Sequence, residues 1–171
     1  MNLIFSAPIW LIGILALTLI AAAIEDLVRL RISNVTCGIV FFAALLAMIL
    51  HGFSTSLWQN AVVCIGILII GMPAFAKGWF GGGDVKLLAA LGLWLNLQAA
   101  LGLLAAVFIA GGIIALIYIL VRTIWGVHRR DGRIAYGLAI VAGALFIFGS
   151  QLHERNTARF PWQPGFQRPN A

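Results

Sequence analysis

Five side chains in this sequence carry a carboxylate: Glu25, Asp26, Asp84, Asp131 and Glu154. Two of them stand where chemistry could be done. Asp26 closes one long apolar run, and Asp84 follows Gly81-Gly82-Gly83 at the start of another. Two carboxyls brought close together do not both ionise, so they share one proton over a useful pH range. The ionised member can then take a proton from water while the protonated member polarises a scissile carbonyl, as in an aspartic protease. That chemistry calls for no metal and no cofactor. His51, His128 and His153 are scattered without ligand spacing, and Cys37 and Cys64 sit in apolar runs with no Cys-x-x-Cys between them.

The glycines sharpen the reading at Asp84. Three in a row let the backbone take positive φ and approach another segment without side-chain obstruction. A helix opening at Asp84 would set the carboxylate near the positive end of its dipole. A plain turn with Asp84 as a helix cap is the alternative. In a chain this poor in acids, the functional reading is the one adopted. Asp26 alone would pass for a solvated helix end beside Arg29 and Arg31. Glu25, one residue over, points to a different helix face and is not placed in the site.

These acids must be held by membrane helices. Hydrophobic residues make up 63% of the 171 positions and charged residues 9%, and the mean hydropathy is +1.06. Water-soluble chains run at about 45–50% apolar and about 25% charged, so lipid must be the solvent here. The net charge of +6 is then basic flanking of spans rather than a nucleic-acid footprint. The spans are predicted at Pro8–Ile24, Val35–Leu50, Leu57–Phe75, a short fourth at Val85–Leu95, Ala99–Val121 and Ile134–Phe148. Asn96-Leu97-Gln98 makes the hairpin between the fourth and fifth. The fold class is therefore an all-α polytopic membrane bundle of about six transmembrane helices. Residues 1–150 form the membrane-embedded domain and 151–171 a polar, Pro-containing tail. Pro161, Pro164 and Pro169 speak against helix in that tail.

Orientation follows from Lys and Arg. Arg29, Arg31, Lys77, Lys86, Arg122, Arg129, Arg130 and Arg133, eight of the eleven basic residues, fall in loops on one side. That side is read as the cytoplasm, with the N-terminus outside. Met1-Asn2-Leu3-Ile4 lacks a basic n-region, so the first span is read as retained. Arg155, Arg159 and Arg168 break the pattern. Two complete crossings separate Asp26 from Asp84, which puts both on the cytoplasmic face. Charges at the edge of hydrocarbon are costly unless they face protein or water. Gly102, Ala106 and Ala110 form a helix-packing row on span five. Gln59 and Asn60 are placed at the outer interface, and Pro73 is read as a kink in span three.

With these residues on the page, the chain resembles the type IV prepilin peptidases. Gly81-Gly82-Gly83-Asp84, with Lys86 two residues on, is similar to their GxGD motif. Asp26 followed by Arg29, Arg31, Ile32, Ser33 and Asn34 resembles their first-aspartate motif, with Ser33 at the usual Pro position. Ala135-Tyr136-Gly137 resembles their Pro-Tyr-Gly, with Ala135 replacing Pro. The resemblance covers about Ile20 to Gly143. It implies catalytic Asp26 and Asp84, and an active-site loop of Gly81, Gly83 and Lys86. Arg29, Arg31, Asn34, Tyr136 and Gly137 would have substrate or structural roles.

Larger members of that family carry a four-cysteine zinc loop after the first span and also N-methylate the product. Here Glu25 to Asn34 is too short for such a loop. The resemblance is therefore to the short, peptidase-only branch serving Flp/Tad-type pili. It implies prepilin or pseudopilin substrates cut at the cytoplasmic face of a bacterial inner membrane. Two other classes remain at this point: a proton or ion carrier using the same aspartates, and a non-proteolytic assembly subunit. Relays usually place charge deep within spans, and no charge lies mid-span here.

Overall fold

The computed structural model describes residues 2–52, 57–78, 80–125 and 136–159. Seven helices follow one another: α1 (Leu3–Ser6), α2 (Ile9–Arg29), α3 (Asn34–His51), α4 (Leu57–Ala76), α5 (Gly82–Gly92), α6 (Leu97–Trp125) and α7 (Tyr136–Arg159). Five of them, α2, α3, α4, α6 and α7, are long and apolar enough to cross a membrane. Large apolar side chains such as Ile69, Ile70, Phe108 and Phe146 point outward, as they should where lipid is the solvent. The chain is an all-α, multi-pass membrane bundle.

The short helix α5 is the centre of the bundle. It packs between α3 and α4 and touches α7, and Leu87, Leu91, Trp94 and Leu95 are buried completely. A helix apolar on every side belongs in such a position. Its 11 residues span about 16 Å, half the thickness of the hydrocarbon layer. The chain leaves the helix at Leu93–Leu95, within the predicted fourth span, so backbone groups there need partners inside the protein. The Asn60 amide donates to the Leu93 carbonyl at 2.8 Å. The Leu3 N–H donates to the Trp94 carbonyl at 3.0 Å, and the Trp94 indole N–H reaches the Val40 carbonyl at 3.2 Å. Asn60 is thus fully buried, not at the outer interface where the sequence places it, because the end of α5 needs a donor.

The first helix α1, with Leu3 and Ile4 buried, packs against α3 and α7 where α5 stops short. It is held there by Arg155 of α7, which donates to the carbonyls of Ile4 at 3.1 Å and Ala7 at 3.3 Å. The last helix therefore continues past the predicted limit at Phe148 and through the first residues of the predicted tail. On the α6–α7 face, a Cβ at Gly143 would lie 2.9 Å from Val107 Cγ2, and one at Gly102 would lie 3.4 Å from Ile147 Cδ1. This close approach extends the small-residue row read on α6. Helix α4 runs through Pro73 to Ala76. Arg129, Arg130, Asp131, Arg133, Ile134, Ala135 and the tail from Phe160 lie outside the described residues.

Candidate active site

Asp26 sits one turn before the end of α2. The helix is closed by Leu30, in the left-handed region at φ 51°, whose N–H bonds the Asp26 carbonyl. The Asp26 side chain is buried and turned toward the start of α7, where the Leu138 N–H donates to its Oδ2 at 3.0 Å. A helix N-terminus offers free N–H groups and a positive dipole end to an anion. The approach is close enough that a Cβ on Gly137 would lie 2.7 Å from the carboxylate carbon. Gly137 is thus the residue that lets the first aspartate lie against the last helix.

Asp84 stands in the first turn of α5, which opens at Gly82, two residues earlier than the sequence suggests. Gly81, not Asp84, is the cap residue; Asp84 is the third helical residue, and its Oδ2 reaches back to accept the Gly81 N–H at 3.1 Å. Burial pushes the Asp84 carboxyl up to about 6, with the nearby Asp26 charge adding to the rise and the Gly81 N–H opposing it. None of the three glycines has positive φ; among the described glycines only Gly52 and Gly78 do. They serve close approach instead. A Cβ on Gly83 would lie 2.7 Å from the Ile32 carbonyl oxygen, and one on Gly82 would meet the Phe75 ring at 3.2 Å.

One cavity of about 680 Å³ takes in both acids, together with Leu30, Arg31, Ile32, Phe75, Gly78, Phe80, Gly81, Gly82, Gly83, Lys86 and Tyr136. Of the residues read from the sequence, Asp26, Arg31, Gly81, Gly83, Asp84, Lys86 and Tyr136 therefore share its wall. Asn34 lies outside the wall but accepts a hydrogen bond from the Lys86 ammonium at 2.8 Å, and Gly137 acts through Asp26. Arg29 is exposed and does not line the cavity. The sequence reading missed Ile32 and Phe80 as wall residues, although both adjoin motif positions. The Phe80 ring packs on Tyr136 with centroids 5.6 Å apart. Beyond that pair lies a smaller recess of about 280 Å³, walled by Val107, Phe108, Gly111, Gly112, Ala115 and Ile140.

The α2–α3 corner is closed from outside the cavity. Ser33 caps α3, its Oγ accepting the Thr36 N–H at 3.1 Å. Glu25 Oε2 accepts the Ser33 N–H at 3.0 Å and the Thr36 hydroxyl at 2.9 Å. A proline at position 33 would have no N–H to give Glu25. The departure at Ser33 thus exchanges a ring constraint for a hydrogen-bonded one. Among the described residues no group of three or more His, Cys, Asp or Glu gathers.

The two carboxyls thus open onto one shared cavity. A family model described as the type IV leader peptidase family matches residues 13–119. That range holds the whole of the cavity wall except Tyr136. No curated protein and no solved structure matches the chain.

Proposed function

The chain belongs to the type IV leader peptidase family, and on that premise we propose that it is a membrane-embedded aspartic endopeptidase that removes the leader from prepilins or pseudopilins. Membership makes it a peptidase, a hydrolase, with leader-bearing substrates of the prepilin type. The observation that carries the aspartic reading is the single cavity that holds Asp26 and Asp84. Asp84, whose carboxyl keeps its proton up to about pH 6, is the acid. Asp26, with one oxygen bonded by the Leu138 N–H, is the base.

In this mechanism Asp26 takes a proton from water as the water oxygen bonds to the scissile carbonyl carbon. Asp84 gives its proton to the carbonyl oxygen, and a tetrahedral diol forms. Asp26 then protonates the amide nitrogen, the C–N bond breaks, and a diol proton returns to Asp84. Both carboxyls end as they began. Phe80, Tyr136 and the apolar recess behind them would take apolar side chains flanking the cut.

The excess of Lys and Arg near this end of the bundle supports a cytoplasmic active site, with the N-terminus outside. The short segment from Glu25 to Asn34 supports the peptidase-only branch. The deciding experiment incubates the purified protein in lipid nanodiscs with the pilin precursor encoded beside it. Cleavage at one bond, with a free amine on the new N-terminus, supports the reading. An intact precursor overturns the peptidase assignment, and a methylated product overturns the branch.

A further inference from the structure

The corner between α2 and α3 touches the supports of both carboxylates. The Ile32 backbone lies against Gly83, one residue from Asp84, leaving no room for a Cβ there. Its side-chain Cδ1 would be 2.9 Å from a Cβ on Gly137, beside the N–H group that anchors Asp26. Ile32 is thus a spacer between the two halves of the site. Two further contacts bind the start of α3 to the start of α5. The Cys37 thiol donates to the Gly83 carbonyl at 3.5 Å, and Lys86 donates to Asn34 at 2.8 Å.

The spacer is only as firm as its corner, and the corner carries strain. Leu30 is the only non-glycine among the described residues with positive φ. A side chain held there costs about 1–3 kcal/mol and persists only when its surroundings fix it. Glu25 supplies that constraint through its two hydrogen bonds. The Thr36 hydroxyl has one proton and gives it to Glu25, so the 2.8 Å contact between the hydroxyls is donated by Ser33. The hydroxyl hydrogens of Ser33 and Thr36 then both lead toward the one carboxylate.

We infer, resting on the peptidase reading above, that Glu25 is a positioning residue: it locks the corner whose Ile32 spacer sets the separation of Asp26 and Asp84. It does not line the cavity that holds the two acids. Its removal leaves the chemistry in place but lets the two acids drift apart.

The test measures kcat, KM and the pH profile in nanodiscs, with the pilin precursor that the unaltered protein cleaves. Failure of the unaltered protein would count against the peptidase reading, not against this role. Glu25→Ala is expected to lower kcat per folded molecule by about tenfold or more, as a displacement near 1 Å can, with KM little changed. The charged and titratable groups around Asp84 are Asp26 on α2, Arg31 at the corner, Cys37 on α3, Lys86 on its own helix and Tyr136 on α7. As Asp84 moves away from Asp26 and toward water, the alkaline limb of the profile shifts to lower pH. Glu25→Gln, which keeps an acceptor oxygen, restores most of the rate. Ser33 has φ −73°, which a proline ring accepts, so Glu25→Ala with Ser33→Pro regains part of the lost rate by fixing the corner covalently. Thr36→Val, which removes one of the two bonds, shows the same pattern at smaller size and serves if Glu25→Ala does not fold. The inference is overturned if Glu25→Ala and Thr36→Val keep the parental kcat. It is overturned equally if they lose activity only in proportion to folded protein, with the alkaline limb unmoved.

Discussion

Asp26 and Leu138 are separated by most of the chain, yet the carboxylate of one accepts the backbone N–H of the other at 3.0 Å. The first aspartate is therefore held by the last helix, while Asp84 is held by its own helix start. Each acid has one oxygen tied to backbone. The site consists of two anchored carboxyls facing one cavity.

Asp26→Asn and Asp84→Asn should each lower cleavage by at least about 10²–10⁴-fold, the range for losing a general acid or base. The double variant should be no worse than either single one, because the two act as a unit. Both proteins should be recovered at parental levels in membranes. A well-folded Asp84→Asn protein that still cuts the precursor would end the dyad reading.

The pH profile has a definite sign. Asp84 holds its proton up to about 6 rather than near the ordinary 3.8. The folded protein therefore binds this proton more tightly than an unfolded chain does. Its contribution favours folding below about pH 4 and is lost as the pH rises through about 6. In the proposed mechanism activity needs the same proton, so kcat/KM should fall on an alkaline limb that begins near pH 6 in the free enzyme, tenfold per unit. Bound substrate excludes water and should move that limb upward in kcat. A kcat/KM flat from pH 5 to 9 would contradict the assignment of Asp84 as the acid.

The glycines divide by what a methyl group would strike. Gly83→Ala meets the Ile32 carbonyl and Gly137→Ala meets the Asp26 carboxylate, each at 2.7 Å. Neither neighbour can move without moving the acids, and a loss of about 10²-fold in kcat is expected from such displacement. Gly82→Ala meets only the Phe75 ring at 3.2 Å, which can turn aside, so its effect should be several-fold at most. Equal and small effects at all three positions, at matched expression, would reduce this part of the site to an ordinary turn.

The helices were legible in the sequence because lipid leaves little choice: apolar length predicts a crossing. The pair of aspartates was legible because acids are so few. What could not be read depends on contacts between distant segments. Asn60 looked like an interfacial residue because nothing local reveals that α5 ends inside the protein and needs its amide. Gly137 and Ile32 carried only motif resemblance until their neighbours were known. Glu25 faces away from Asp26, as the helical period implies, but the period does not show that Ser33 and Thr36 wait on that side. The helix α1 is four residues long, below what any periodicity can register. Of the two reasons the sequence offers for the glycines before Asp84, positive φ is not used and close approach to another segment is.

Orientation can be checked by labelling. In a Cys37→Ser, Cys64→Ser background, His51→Cys at the end of α3 and Lys77→Cys beyond α4 lie at opposite ends of their helices relative to the cavity. Both positions are exposed. An impermeant maleimide added to intact cells should modify His51→Cys and spare Lys77→Cys until the membrane is opened. The reverse pattern would place the acids outside the cell.

The buried end of α5 gives a prediction about stability that is separate from catalysis. Asn60 is fully buried and donates to the Leu93 carbonyl at 2.8 Å, at a point where the chain has left the helix. Asn60→Leu keeps the side-chain size and removes the donor, leaving that carbonyl without the amide. Hydrogen bonds between membrane helices are worth about 0.6–2 kcal/mol, so the thermal midpoint in detergent should fall by a few degrees. The other end of α5, which bears Asp84, is fixed independently by Ile32, Cys37 and Asn34. Cleavage per folded molecule should therefore stay close to the parental rate at temperatures well below the midpoint. An unchanged midpoint would mean that the carbonyl finds another partner. A large loss of kcat with the midpoint intact would mean that displacement at the buried end travels the length of α5, and that the three contacts at the catalytic end do not hold it.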